Sequence, residues 1–280
     1  MKIGVTGATG QLGNFVVAEL KKRVASEDIV ALVRTPEKAA ELGVEAREFN
    51  YDKPETLAES LKGIDHLLLI SGSEVGKRKE QHTNVVNAAK EVGIQWIVYT
   101  SLLHADTSSL SLADEHLATE AVLKSSGIDY TILRNGWYTE NYTGSIAGAL
   151  QAGAFIGSAG EGKVSSAARI DYAEAAAIVI TDTSYKGKVF ELAGDEYYTL
   201  NDLAAEISKQ TGKDIPYNNL PEKDYAEILK SVGLPEGLAY AIAGWDVGAS
   251  KDDLYDDSKQ LSALLGRKTT PLSETVKAAL

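Results

Sequence analysis

Val5-Thr6-Gly7-Ala8-Thr9-Gly10-Gln11-Leu12-Gly13 decides the fold. Three glycines stand at the spacing G-x-x-G-x-x-G, behind the apolar run Lys2–Thr6 and ahead of Leu12, Val16, Leu20 and Val24, which recur every fourth residue. A strand that turns through glycines into an amphipathic helix is the context a dinucleotide-binding turn requires. Gly7 permits the tight turn, Gly10 leaves no Cβ in the way of a pyrophosphate, and Gly13 lets helix and strand pack closely. The helix N-terminus then offers unpaired N–H groups and a partial positive charge to the phosphates. Thr6, Gly7, Ala8, Thr9, Gly10, Gln11, Leu12 and Gly13 are therefore candidate cofactor contacts.

The pattern repeats outward from this turn. Ile29–Val33, Val44–Phe49 (the weakest), His66–Ile70, Trp96–Thr100 and Tyr130–Leu133 read as strands, with helical stretches at Gln81–Val92 and Leu112–Lys124. Such alternation predicts an α/β protein: a doubly wound, mainly parallel Rossmann sheet covered by helices on both faces. After Leu133 the pattern changes. Arg134–Ala168 is rich in Gly, Asn and Tyr; beyond it we expect a helix at Tyr172–Thr181 with Asp171 as N-cap, a strand at Lys188–Ala193, and helices at Thr199–Thr211, Glu222–Val232 and Leu272–Leu280. The expected division is a dinucleotide domain over 1–134 and a smaller substrate-side lobe over 135–280, with about 164–195 returning to the first sheet.

Composition narrows the classes. The chain has 280 residues, 44% of them hydrophobic, long enough to bury roughly three quarters of its unfolded surface. It has no cysteine, which excludes disulfides, thiolate metal sites and cysteine nucleophiles. No His/Asp/Glu set has metal-ligand spacing, so no metal is expected. The net charge of −12 argues against a nucleic-acid partner. Neither a signal peptide nor a run approaching the roughly 20 apolar residues of a membrane helix is visible, and the expectation is a cytoplasmic protein with no membrane partner.

The second strand ends in Arg34, with Lys38 a turn further on. An NAD-specific site commonly places Asp or Glu there, whereas an arginine fork suits a 2′-phosphate. NADPH is thus the expected cofactor. Ligands in such sheets lie at the carboxyl ends of strands, which points to Ile70 and Ser71 after the fourth, Ser101 and His104 after the fifth, both candidate catalytic residues, and Asn135 after the sixth. Short-chain dehydrogenases carry Tyr-x-x-x-Lys on the helix after the fifth strand; His116 and Glu120 take those places here. A glutamate cannot do the electrostatic work of that lysine, so ordinary alcohol/ketone chemistry is in doubt. His116 is either a general acid, titrating near neutrality, or an exposed helix residue. His104 is the other candidate acid, and His66 and His82 read as structural or solvated. Trp137, Tyr138 and Tyr142 supply either stacking walls for a flat acceptor or ordinary core packing.

The segments Val5–Gly13, Ile29–Pro36, Leu68–Gly76, Tyr99–Ser108, Leu133–Asn141 and Asp246–Ser250 resemble the NmrA-like branch of the atypical short-chain dehydrogenase/reductases. Within it they look most like the bacterial type 2 NAD(P)H:quinone oxidoreductases and, less closely, the triphenylmethane reductases. The resemblance spans essentially the whole chain. It implies an NADPH-binding lobe, a C-terminal lobe over a substrate cleft, and normal absence of the Tyr/Lys pair. It also implies cofactor contacts at Thr6–Gln11, Arg34, Ile70, Ser71, Asn135, Gly136, Trp137, Tyr138, Glu140 and Arg169. A quinone-like acceptor is the implied partner, and a homodimer is compatible with the reading. Two alternatives stay open: a non-catalytic dinucleotide sensor, and a reductase of azo or triphenylmethane dyes.

Overall fold

The structure is a computed structural model that describes residues 1–280. In chain order its elements are β1 (Ile3–Thr6), α1 (Gln11–Leu20), β2 (Ile29–Val33), β3 (Glu45–Glu48), α2 (Pro54–Leu61), β4 (His66–Leu69), α3 (Arg78–Val92), β5 (Trp96–Leu102), α4 (Ala113–Ser126) and β6 (Asp129–Asn135). There follow α5 (Glu140–Thr143), α6 (Ile146–Ala152), β7 (Phe155–Gly157), α7 (Arg169–Thr181), β8 (Val189–Leu192), α8 (Leu200–Thr211), β9 (Tyr217–Asn219), α9 (Glu222–Ser231), α10 (Glu236–Ala249), α11 (Gln260–Leu265) and α12 (Leu272–Ala279). No helix is long and apolar enough to cross a membrane. The chain forms two compact units. One comprises 1–105, 114–135 and 169–191, the other 106–113, 136–168 and 192–280.

The first unit is a seven-stranded sheet in the order β3-β2-β1-β4-β5-β6-β8. The pairings β1/β2, β1/β4, β2/β3, β4/β5 and β5/β6 are all parallel. The order reverses between β1 and β4, the switch point where doubly wound sheets open a crevice at their carboxyl edge. Period-2 alternation sends Val30 and Leu32, Leu67 and Leu69, and Ile97 and Tyr99 to one face. There they bury against Leu57 and Leu61 of α2, Val85, Val86 and Ala89 of α3, and Leu123 of α4. Helices α1 and α7 pack against each other elsewhere in the unit. Continuous burial of Ile29–Val33 and Trp96–Leu102 is what a sheet covered on both faces demands.

Two strands run further than their apolar stretches predicted. β5 and β6 continue together through Ser101/Arg134 and Leu102/Asn135. The polar side chains of Ser101 and Arg134 are tolerated because Glu120 of α4 bonds both, as described below. Helix α7 begins at Arg169, so Asp171 is a buried first-turn residue and not the cap.

The second unit contains β7 paired in parallel with β9, surrounded by helices. Two of its helices, α5 and α6, lie inside the glycine-rich stretch Arg134–Ala168, and α10 is not among the helices expected from the sequence. Its sequence, Glu236 to Ala249, carries three glycines, which lower helix propensity. At Gly248 the reason is packing: a Cβ there would overlap the Leu110 side chain. Helix α8 carries a full capping box, Thr199 and Asp202 each bonding the other's backbone N–H.

Candidate active site

The turn after β1 has the geometry its glycines predicted. Gly7 lies at φ +60, a left-handed conformation that favours glycine, and its N–H donates to the Leu32 carbonyl of β2 at 3.0 Å. The N–H of Gly10 closes the turn on the Gly7 carbonyl at 2.8 Å. A Cβ on Gly13 would overlap that same carbonyl oxygen and stand 2.7 Å from the Ala8 Cα. A Cβ on Gly10 would meet only the Gly7 carbonyl, at 3.1 Å. The N-cap of α1 is Gly10, with no side-chain cap and no acidic residue in the first turn. The leading amides of α1 are thus left to an outside acceptor, and the positive end of the helix dipole is not neutralised. These features fit a pyrophosphate.

The neighbouring strand ends are braced from three directions. The Ile70 N–H donates to Thr6 Oγ1 (2.9 Å), the Ser71 N–H to Thr100 Oγ1 (2.9 Å), and the Gly72 N–H to His82 Nε2 (3.0 Å). The Tyr51 hydroxyl donates to the Ile70 carbonyl at 3.2 Å. At the end of β2, Arg34 is exposed and sits 3.4 Å from Glu74, which Lys77 also contacts at 3.0 Å. Exposed pairs of this kind contribute about 0–1 kcal/mol, so the Arg34 fork is available to a stronger anion.

The candidate acids separate. His116 is 6% exposed and shares a 2.8 Å hydrogen bond with the Tyr99 hydroxyl. Burial, then the charge of Arg78 and the neighbouring His82, pushes its pKa down to about 3. It is neither the general acid nor the exposed helix residue that the sequence suggested, but a neutral core histidine. Ser101 is also corrected. It lies within β5, 5% exposed, with its hydroxyl donating to Glu120 Oε1 at 2.8 Å, so it lines no strand-end loop. His104 does follow β5. It adopts φ +50, and its N–H donates to Glu191 at 2.8 Å.

Glu120, in the place of the usual lysine, anchors a buried ion pair. Arg134 Nε and Nη2 grip its two carboxylate oxygens at 2.9 and 3.0 Å, while Nη1 reaches Glu191 at 2.8 Å. Burial pushes the Glu120 carboxyl up, but the Arg134 fork and the Ser101 hydroxyl outweigh it and hold it below the ordinary value. The missing Tyr/Lys pair is thus replaced by structure, not by an equivalent acid.

In the second unit, Trp137 stands edge-on to Trp245, 5.8 Å between ring centroids, both half-buried. Trp245 escaped the sequence reading because it lies on the unforeseen α10; its Nε1–H donates to Ser111 Oγ at 3.1 Å. Tyr138 is half-buried and Gly136 buried. Tyr142 is buried, and its hydroxyl donates to Asp246 at 3.2 Å, which commits it to the interior and not to a stacking wall. Asp246 also accepts the Ser158 N–H at 2.9 Å. Burial nonetheless lifts its carboxyl to about 6. A raised folded pKa contributes stability that is full below the ordinary value near 3.8 and lost as pH rises through about 6. We expect the unfolding free energy of the unmodified chain to fall by up to about 3 kcal/mol more than that of Asp246→Asn between pH 4 and 7.5, measured by urea denaturation. Parallel pH profiles would contradict this.

The profile of the NmrA-like family matches residues 1–274. The chain is 57% identical to Quinone oxidoreductase 2 of Escherichia coli (strain K12) over 277 residues, 98% of this chain and 97% of that one. It superposes on the crystal structure of the NADPH-dependent quinone oxidoreductase of Escherichia coli complexed with NADPH with a TM-score of 0.96, at 57% identity and 99% coverage of both chains. It superposes on Citrobacter sp. triphenylmethane reductase complexed with NADP(H) at 0.95, with 38% identity and full coverage of both. With the glycine turn, the open helix N-terminus and the exposed Arg34, these likenesses establish that the chain belongs to the NmrA-like family.

Proposed function

We propose that the chain is an NADPH-dependent reductase that transfers hydride to a quinone. The reading is carried by the phosphate-ready turn at Gly7–Gly13, in a chain 57% identical over nearly its whole length to a quinone oxidoreductase. The amides of α1 hold the pyrophosphate, Arg34 takes the 2′-phosphate, and Ile70 and Ser71 line the cofactor. Asn135, Gly136, Trp137, Tyr138, Glu140 and Arg169 complete its contacts. When bound, NADPH supplies the hydride.

A quinone that accepts hydride becomes a hydroquinone anion stabilised by aromatisation. That anion is far less basic than the alkoxide from a simple ketone, and one proton from water or a weak donor completes the product. The loss of Tyr and Lys from α4 is therefore no obstacle, and His104 is the histidine left to assist. The protein's task is positioning. Trp137 and Tyr138, joined by Trp245, provide flat apolar surface for the acceptor. The partner is a small molecule and the setting cytoplasmic; light scattering on the purified chain decides between monomer and homodimer.

The test is NADPH oxidation with and without 1,4-benzoquinone. Quinone-dependent turnover that prefers NADPH to NADH supports the reading; tight NADPH binding without oxidation by any quinone or dye overturns it in favour of a sensor. In the same assay Arg34→Glu should raise KM for NADPH about ten- to hundredfold, one or two charge-assisted hydrogen bonds, and leave NADH nearly unaffected. Equal losses with both cofactors would remove the 2′-phosphate from Arg34.

A further inference from the structure

Both backbone polar groups of Gly72 are bonded by one helix. Its N–H donates to His82 Nε2 at 3.0 Å, and its carbonyl accepts from Arg78 Nε at 2.6 Å. Arg78 and His82 lie four residues apart and so share a face of α3. Neither is solvated: Arg78 is 8% exposed and His82 0%.

The proton positions on His82 are fixed by its partners. Because Nε2 accepts from Gly72, Nδ1 carries the proton and donates it to Thr119 Oγ1 at 2.9 Å. The Thr119 hydroxyl in turn donates to the Glu115 carbonyl at 3.0 Å. Glu115 closes the loop, its carboxylate accepting from Arg78 Nη1 (3.2 Å) and from the Arg78 N–H (3.1 Å). The imidazole ring is wedged edge-on between Tyr51 and Tyr99, with centroids 6.0 and 5.5 Å away. Burial, then the charge of Arg78, pushes its pKa to about 3, so the neutral tautomer that holds Gly72 persists through the working pH range.

Gly72 follows Ile70 and Ser71, whose amides are tied to β1 and β5. The β4 end is therefore locked from three elements, and only the last lock is built from a helix beyond the sheet. We propose that His82, with Arg78, is a positioning residue for hydride transfer: it holds the Ser71–Gly72 backbone in the register that seats the nicotinamide end of NADPH. The inference rests on the reading that the β4 end lies against the cofactor. It assigns a task to a histidine that the sequence left among the structural or solvated ones.

His82→Leu removes the acceptor for Gly72 and the donor to Thr119. His82→Gln keeps an acceptor at the Nε2 position. Steady-state kinetics with NADPH and 1,4-benzoquinone, NADPH titration by fluorescence and thermal melting are measured on all three chains. We expect kcat of His82→Leu to fall about ten- to hundredfold, the range that a misplacement of about 1 Å produces. KM for NADPH should change by less than about threefold, because phosphate contacts are intact. His82→Gln should recover most of kcat. A His82→Leu protein with kcat within twofold of the unmodified chain, or with only a lowered melting temperature, overturns the positioning role while leaving the reductase reading intact. No quinone-dependent oxidation by the unmodified chain overturns both.

Discussion

Gly13→Ala is expected to abolish NADPH binding and to destabilise the first unit, whereas Gly10→Ala should weaken binding alone. The difference follows from what each new methyl group meets. On Gly13 it overlaps the Gly7 carbonyl oxygen and crowds the Ala8 Cα, both backbone atoms of the turn that the Gly7 N–H ties to the Leu32 carbonyl. Relief requires α1 to move away from the turn. Overpacking of this kind costs about 1–3 kcal/mol in stability. It also drags the helix amides from the phosphates. Loss of two or three charge-assisted hydrogen bonds, each about 1.5–3 kcal/mol, weakens binding by roughly two to six orders of magnitude. On Gly10 the methyl group meets one carbonyl oxygen at 3.1 Å, and its backbone at φ −76, ψ 170 is open to alanine. The cost to the fold should be about 1 kcal/mol or less, that of an alanine at an N-cap. The methyl group nevertheless stands where the pyrophosphate must approach. Fluorescence titration and thermal melting of both variants check this; a Gly13→Ala protein that melts like the unmodified chain and binds NADPH normally would refute the packing argument.

That contrast also shows which parts of the site were legible in the sequence. The glycine turn and β2 were readable because each is local: glycine spacing and period-2 burial declare themselves within a dozen positions. The pairings around α4 were not. Glu120 meets Ser101 and Arg134 across 19 and 14 residues, and His82 meets Gly72 only because α3 folds back on the strand it follows. A polar residue gives no sign of burial until its partner is known. One signal was present. His116, Thr119, Glu120 and Leu123 fall three or four apart, a single helical stripe, and the structure buries all four. Read as a stripe, it would have placed His116 in the core. Trp245 and Asp246 lay hidden in α10, whose glycines mimic a loop.

The burial of Glu120 leads to the second large effect. Arg134→Met should destabilise the chain by about 3–5 kcal/mol at neutral pH, because it strands a carboxylate that is 1% exposed. Only the Ser101 hydroxyl and Lys124, at 2.8 and 3.3 Å, would remain to it. The pH dependence identifies the cause. In the unmodified chain the Glu120 pKa is lowered, so its contribution is full above the ordinary value of 4.5 and is lost as pH falls through the folded value. Without Arg134, burial dominates and the folded pKa moves above 4.5; the penalty then vanishes in acid and grows as pH rises. The two chains should therefore differ most at pH 7.5 and converge near pH 4.5, measured by urea denaturation. Replacing the pair together, Glu120→Leu with Arg134→Met, should recover most of the loss, since a packed apolar pair often matches a buried ion pair once neither charge is left alone. A loss of equal size at both pH values, or one that the double replacement leaves untouched, would mean that Arg134 acts through its packing and its contact with Glu191, and that the charge of Glu120 is not what the fold must satisfy.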